Sequence, residues 1–437
     1  MVDKPSPASD VPPEHLVVAA PTSGQVGGPF RVLASRIGGV AGSLAAGQLL
    51  VGLTYVIAAR NLTPANLGII ATCFAIGVIS ANIFDFGLNN YLVRETASAR
   101  VAEPTARALV RRKRRFAILL MLPNMVACLL IAPSLLTGLV LGLIAPLVWE
   151  AATANSRLGA QERFARAATA QVAARAVGLA ATVVLTVVVD VPELALPVGL
   201  AGSFALEALL DRLFLGAPGT RPSSVAELVR AQRASMSFGF VSLASIGQQV
   251  DTPVVAAGGG AGAAGIYAGA GRLIGPLLFL SSAMAVVGGP RLARVADDPD
   301  ALRREERRIG MVTACISLAP LGVALLGPAL IPLILGPQYV QSGAAFSVLA
   351  VGAAFSTVSQ GMAIMLQNRG HETSVARAIS TGLVSGLVAT YVLAVVGGPA
   401  WAAVGFLVSQ LYIVLHLGAR LRTVRVNVRT ASEQARS

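Results

Sequence analysis

Apolar runs long enough to cross a lipid bilayer recur about a dozen times between residues 37 and 419, with short polar breaks between them. Spanning the hydrocarbon takes roughly 20 apolar residues as a helix. The runs cover residues 37–59, 66–91, 116–136, 137–156, 168–189, 194–215, 234–257, 264–288, 309–335, 343–366, 375–397 and 400–419. The narrowest break is "APSLLTG", within 116–156. Composition agrees, since only 13% of the residues are charged, against about 25% in soluble domains. The pattern predicts an all-α polytopic membrane protein with about twelve transmembrane helices.

Charge placement predicts orientation. With both termini inside, every one of the 34 lysines and arginines except Arg60 and Arg272 falls in a cytoplasmic segment, as the bias of basic residues toward cytoplasmic loops requires. Dropping one helix would invert half the loops and destroy the asymmetry. The net charge of +13 therefore belongs to loops at the inner surface of the cytoplasmic membrane, and nucleic acid is not an expected partner.

Residues 1–30 are rich in Pro, Ser and Gly and lack a signal-peptide core, which predicts a disordered cytoplasmic tail. The remaining boundaries are an N-terminal six-helix lobe at 31–216, a cytoplasmic linker at 217–233, a C-terminal six-helix lobe at 234–420 and a basic cytoplasmic tail at 421–437. A weak repeat supports two lobes: "VIAARNLTPANLGII" at 56–70 corresponds to "VVAAGGGAGAAGIYA" at 254–268. Cys73, Cys128 and Cys315 are scattered through apolar segments, and His15, His371 and His416 form no cluster. Neither a metal site nor a cofactor is expected.

Ionisable groups inside the membrane are costly and ask for a partner or a wet cavity. At 1.5 Å rise per residue, Asp251 is about 9 Å and Arg272 about 12 Å from the outer ends of adjacent spans, so they are expected to pair. Asn82, Asp85 and Asn89 have the spacing of one helix face. Span seven carries Ser235, Ser242, Ser245, Gln249 and Thr252, and span ten carries Ser356, Gln360 and Gln367. Polar stripes on separate apolar helices predict a shared hydrated cavity, dry interhelical hydrogen bonding being the alternative. Asp85, Glu150 and Glu207, toward the inner side, are candidates for cation coupling; Glu150 and Glu207 equally fit a plain pairing with loop arginines.

In order along the chain, "AARNLTPANLG" (58–68), "DFGLNNYLVRE" (85–95), "DTPVVAAGGGAGAAGIYAGAGRLIGPL" (251–277) and "GPRLARV" (289–295) resemble the polysaccharide or O-antigen flippases. These belong to the multidrug/oligosaccharidyl-lipid/polysaccharide exporter superfamily. Arg60, Leu62, Pro64 and Gly68 match that family's turn after helix one, and Asp85, Gly87, Val93, Arg94 and Glu95 match the end of helix two. The resemblance implies twelve helices in two lobes around a central cationic cavity, and alternating access that moves a polyprenyl-pyrophosphate-linked oligosaccharide between leaflets. One departure is "GGGAGA" at 258–263, in place of a more polar turn.

Arginine suits pyrophosphate through its bidentate fork. The substrate-cavity candidates are Arg272, Asp251, Asp85, Asn82, Asn89, Gln249, Gln360 and Arg60, with no catalytic residue. Besides the substrate and membrane lipids, a polysaccharide polymerase or glycosyltransferases are expected partners. Two other transport readings remain open: a cation-coupled multidrug or metabolite antiporter of the same superfamily, and a peptidoglycan-precursor flippase. A membrane glycosyltransferase or polymerase would need sizeable acidic outer loops, and here the outer-loop acids are only Asp190 and Glu193.

Overall fold

A computed structural model describes residues 28–97, 103–216, 249–278 and 298–434, with a few isolated positions between them. Twelve α-helical elements follow in order: α1 (Gly28–Asn61), α2 (Pro64–Asp85), α3 (Leu88–Ala97), α4 (Glu103–Ile131), α5 (Leu135–Gly142), α6 (Ile144–Ala160), α7 (Phe164–Val187), α8 (Pro192–Leu215), α9 (residues 249–278), α10 (Pro299–Leu335), α11 (Val340–Gln367) and α12 (Glu372–Gln434). No strand occurs among the described residues. Seven helical stretches of that part of the chain are long and apolar enough to cross a membrane.

Helix boundaries follow local chemistry. Thr63 caps α2, its side chain accepting from Asn66 N, and Pro64 occupies the first turn, where a missing N–H costs nothing. Asp298 caps α10 by accepting from the Asp300 and Ala301 amides, and these donors hold its carboxyl below the usual range. The elements α9 and α12 each contain two arms. Gly260 (φ 80°) divides the first and Gly398 (φ 74°) the second, at the turns expected from "GGGAGA" and from residues 398–399. Span two ends differently from expectation. Phe86 (φ 39°) and Gly87 (φ 82°) break the helix after Asp85, so Asn82 and Asn89 belong to separate helices and form no continuous face.

The fold is a two-lobed, all-helical membrane bundle. In the N-terminal lobe α1 packs on α7, α7 on α8 and α8 on α6; in the C-terminal lobe α11 is flanked by α10 and α12. A single apolar core joins the lobes, uniting Tyr55, Leu67 and Ile70 with Val255, Tyr267 and Phe346. The expected basic tail at 421–437 continues α12 as helix to Gln434. The tail at residues 1–27 and the linker at 217–232 lie outside the described residues, as do Ser235, Ser242 and Ser245 of span seven.

The lobes are clasped together at the end opposite the arginine-rich loops. Arg60 Nε donates to Ile334 O at 2.8 Å and its Nη2 to Leu333 O at 2.7 Å. Tyr339 Oη donates to Leu62 O at 3.2 Å, and Gln338 Nε2 to Ala59 O at 3.1 Å. These donors satisfy carbonyls left open at the C-termini of α10 and α1. Arg60 is therefore part of an interlobe seam and takes no place in the wall of the central cavity.

Candidate functional site: a polar cavity around Arg272

Beneath that seam, a cavity of about 400 Å³ opens among the two arms of α9, the two arms of α12, α11 and one residue of α1. Its polar lining includes Gln48, Gln249, Asp251, Thr252, Tyr267 and Arg272. Thr390, Ser409 and Gln410 add hydroxyl and amide groups from α12. Residues far apart in sequence thus meet in one chamber, because the turn at Gly260 folds the second arm of α9 back on the first.

Asp251 and Arg272 share this chamber without touching. The Asp251 carboxylate accepts from Tyr267 Oη at 2.9 Å and from Thr252 N at 2.7 Å. The Arg272 guanidinium instead lies 5.0 Å from the centroid of the Tyr55 ring and 5.0 Å from that of Phe74. The expected ion pair is replaced by a cation between two aromatic faces and an anion held by a phenol. Both residues line one chamber, and rotation about each helix axis sets their partners. Held by the aromatic quadrupoles, Arg272 makes no hydrogen bond or ion pair to another described residue, so its N–H fork remains available.

The other candidates are distributed elsewhere. Gln249 lines the chamber. Gln360 is half-buried on α11 and does not line it. Asn82 donates to its own helix, at Val78 O. Asp85 is buried in the N-terminal lobe, where its Oδ2 accepts from Asn89 N at 3.2 Å and its backbone oxygen accepts from Lys113 Nζ. The neighbouring Phe84 packs edge-on against Trp149, centroids 5.0 Å apart. Asp85 thus caps the break between α2 and α3.

Both other inner acids are engaged. Glu150 is gripped by Arg114 and Arg212. Glu207 pairs with Arg175 at 2.8 Å, with side chains only 6% and 9% exposed. Arg175 had counted as a cytoplasmic charge; it lies instead inside α7, bonded to Ser203 Oγ at 2.7 Å and stacked 4.0 Å from the Phe204 centroid. One turn beyond Glu207, Asp211 is fully buried and neither carboxylate oxygen has a hydrogen-bond partner among the described residues. Sequence reading missed Gln48, Tyr55, Lys113, Thr390 and Asp211. Tyr267 was visible only as part of "GIY", and Asp211 only as the i+4 neighbour of Glu207.

A family model described as polysaccharide biosynthesis protein matches residues 57–344. The chain belongs to this polysaccharide biosynthesis family. The matched segment contains the Arg60 clasp, Asp85 and the α9 side of the chamber with Asp251 and Arg272, while the α12 side and Gln48 lie outside it. No curated protein matches the chain significantly. Among solved structures, an inward-facing multidrug resistance MATE family transporter of the MOP superfamily superposes with TM-score 0.68 at 14% identity, covering 87% of this chain and 95% of that one. Lipid II flippase MurJ in an inward closed conformation gives 0.69 at 11% identity, covering 88% and 87%. An outward-facing MATE family transporter gives 0.55 at 16% identity, covering 90% and 96%. At these identities the likeness is one of fold: this member of the polysaccharide biosynthesis family has the helical architecture of those structures.

Proposed function

We propose that this transporter flips a polyprenyl-pyrophosphate-linked oligosaccharide across the cytoplasmic membrane, as a step in building a cell-surface polysaccharide. The observation carrying the substrate class is the state of Arg272. It sits in a chamber formed by the C-terminal lobe and Gln48, is oriented by the Tyr55 and Phe74 rings, and spends none of its donors on another described residue. A guanidinium so placed suits bidentate contact with a phosphate oxygen pair. Gln48, Gln249 and Gln410 add amides suited to hydroxyl-rich sugars. A headgroup of this kind cannot cross hydrocarbon unaided, so the chamber shields it while the prenyl chain stays in lipid. Both termini face the cytoplasm in this reading, and glycosyltransferases or a polymerase act before and after the step.

Cation-coupled antiport of a small cationic compound is the second reading, favoured by the Asp251 carboxylate in the same chamber. Replacing Arg272 with Ala or Lys, and Asp251 with Asn, separates the two. In the flippase, Arg272→Ala abolishes surface glycan while the lipid-linked precursor accumulates inside and membrane insertion stays normal; Arg272→Lys retains part of the activity and Asp251→Asn is milder. Normal surface glycan in Arg272→Ala would exclude the proposed substrate contact. Loss of drug or metabolite export in Asp251→Asn, with glycan unchanged, would establish antiport.

A further inference from the structure

A second and larger concavity, about 630 Å³, lies away from the central chamber on the C-terminal lobe. It arises from helix arrangement: α10 and α12 each pack along α11 but scarcely touch each other, leaving a groove whose floor is α11. Gly361, Met362 and Met365 form that floor, Met311 of α10 and Leu421 of α12 stand on the two sides, and Arg303 and Arg307 line it one helical turn apart. From Arg307 to Ala314 the groove wall descends about 10 Å along α10, roughly the distance from a headgroup layer to the upper acyl chain.

The charges are arranged for an anion. Glu306 also lines the groove, but it is buried and pairs with Arg369 at 2.6 Å. Among the described residues Arg303 is held only by an exposed contact to Asp300 at 3.8 Å, and Arg307 makes no ion pair or hydrogen bond with any of them. Two arginines thus stand over a methionine-lined slot at the arginine-rich end of the bundle. Basic pockets between transmembrane helices at that face recognise anionic lipid headgroups, and methionine adapts to flexible alkyl chains.

We propose that this groove binds an anionic glycerophospholipid of the inner leaflet, its phosphate on Arg303 and Arg307 and an acyl chain along Met311, Met362 and Met365. The lipid fills the gap between α10 and α12 and braces the inner end of the lobe. This site is independent of whatever the central chamber transports.

The test is lipid retention by the full-length protein in phosphatidylcholine nanodiscs containing phosphatidylglycerol, read by native mass spectrometry. The wild type retains phosphatidylglycerol selectively. Arg303→Gln/Arg307→Gln lowers retention roughly tenfold. Gly310→Leu does the same with both arginines present, because a side chain at Gly310 meets open space within the groove and leucine is favourable in a helix interior. Arg304→Gln/Arg308→Gln, on the same helix but outside the groove lining, keeps wild-type retention. The proposal is overturned if phosphatidylcholine is retained equally, if the Arg304/Arg308 variant loses as much, or if Gly310→Leu binds normally.

Discussion

Gly68 and Gly265 meet across the interlobe seam, backbone against backbone. A Cβ on Gly265 would stand 1.8 Å from the Pro64 carbonyl oxygen and 2.9 Å from Gly68 N; a Cβ on Gly68 would stand 1.8 Å from the Ala261 carbonyl oxygen. The two glycines occupy matching places in the internal repeat, "NLGII" and "AAGIY". The repeat is therefore an interface at which its two copies touch. Only hydrogen fits there, and the closed seam depends on both.

Gly265→Ala is expected to open this seam. The added methyl strikes backbone, which cannot rotate away, and overpacking of this sort costs roughly 1–3 kcal/mol. The population shifts toward the outward-open arrangement. With Cys73, Cys128 and Cys315 replaced, a cysteine introduced at Gln338 will react faster with a membrane-impermeant thiol reagent in the Gly265→Ala background. Unchanged labelling would show that the contact does not control access.

Arg60→Ala removes both hydrogen bonds to the end of α10 while leaving the chamber lining intact. The loss of about 1 kcal/mol per bond weakens the clasp in the same direction as Gly265→Ala. Substrate binding to the inward-facing state is expected to keep its intrinsic affinity, and the export rate to fall. A pure binding defect with normal interlobe distances by spin labelling would return Arg60 to the cavity wall.

Arg175→Ala leaves Glu207 buried without its cation. Breaking one side of a buried pair costs about 3–5 kcal/mol, so the thermal midpoint drops sharply and expression falls. Arg175→Ala combined with Glu207→Gln recovers part of the loss. A double variant as unstable as the single one would mean that Arg175 acts through its packing on Phe204 rather than through charge.

Asp211→Asn is expected to stabilise. Its carboxylate is fully buried with both oxygens unpartnered among the described residues, and an amide lacks the desolvated charge that makes such a site costly, a difference of about 1–3 kcal/mol. A raised midpoint in a detergent thermal scan meets this expectation. A lowered one would reveal a partner that Asp211 engages in another conformation.

Much of the fold was legible because bilayer thickness imposes a length on every span. Loop arginines supplied an independent check on where the chain turns. "GGGAGA" and Gly398 marked two reversals correctly, since few residues other than glycine tolerate positive φ. The stripe Asn82–Asp85–Asn89 failed because a left-handed pair at Phe86 and Gly87 interrupts the helix, and Phe86 gives no sign of that in sequence. The cavity was only half visible. Gln249, Asp251 and Arg272 stood out as polar groups at depth, but Gln48, Thr390 and Ser409 look ordinary in their own helices.

Sequence alone determined which stretches are apolar and long enough to cross a membrane and where the chain turns between them, because these follow from hydropathy and from a fixed rise per residue. Which group faces which was settled by the folded bundle. Helix rotation and crossing put Arg272 between Tyr55 and Phe74, gave Asp251 to Tyr267, and drew Arg175 into α7 to meet Glu207. Such pairings depend on the relative placement of helices distant in the chain, and spacing along one helix carries no information about that.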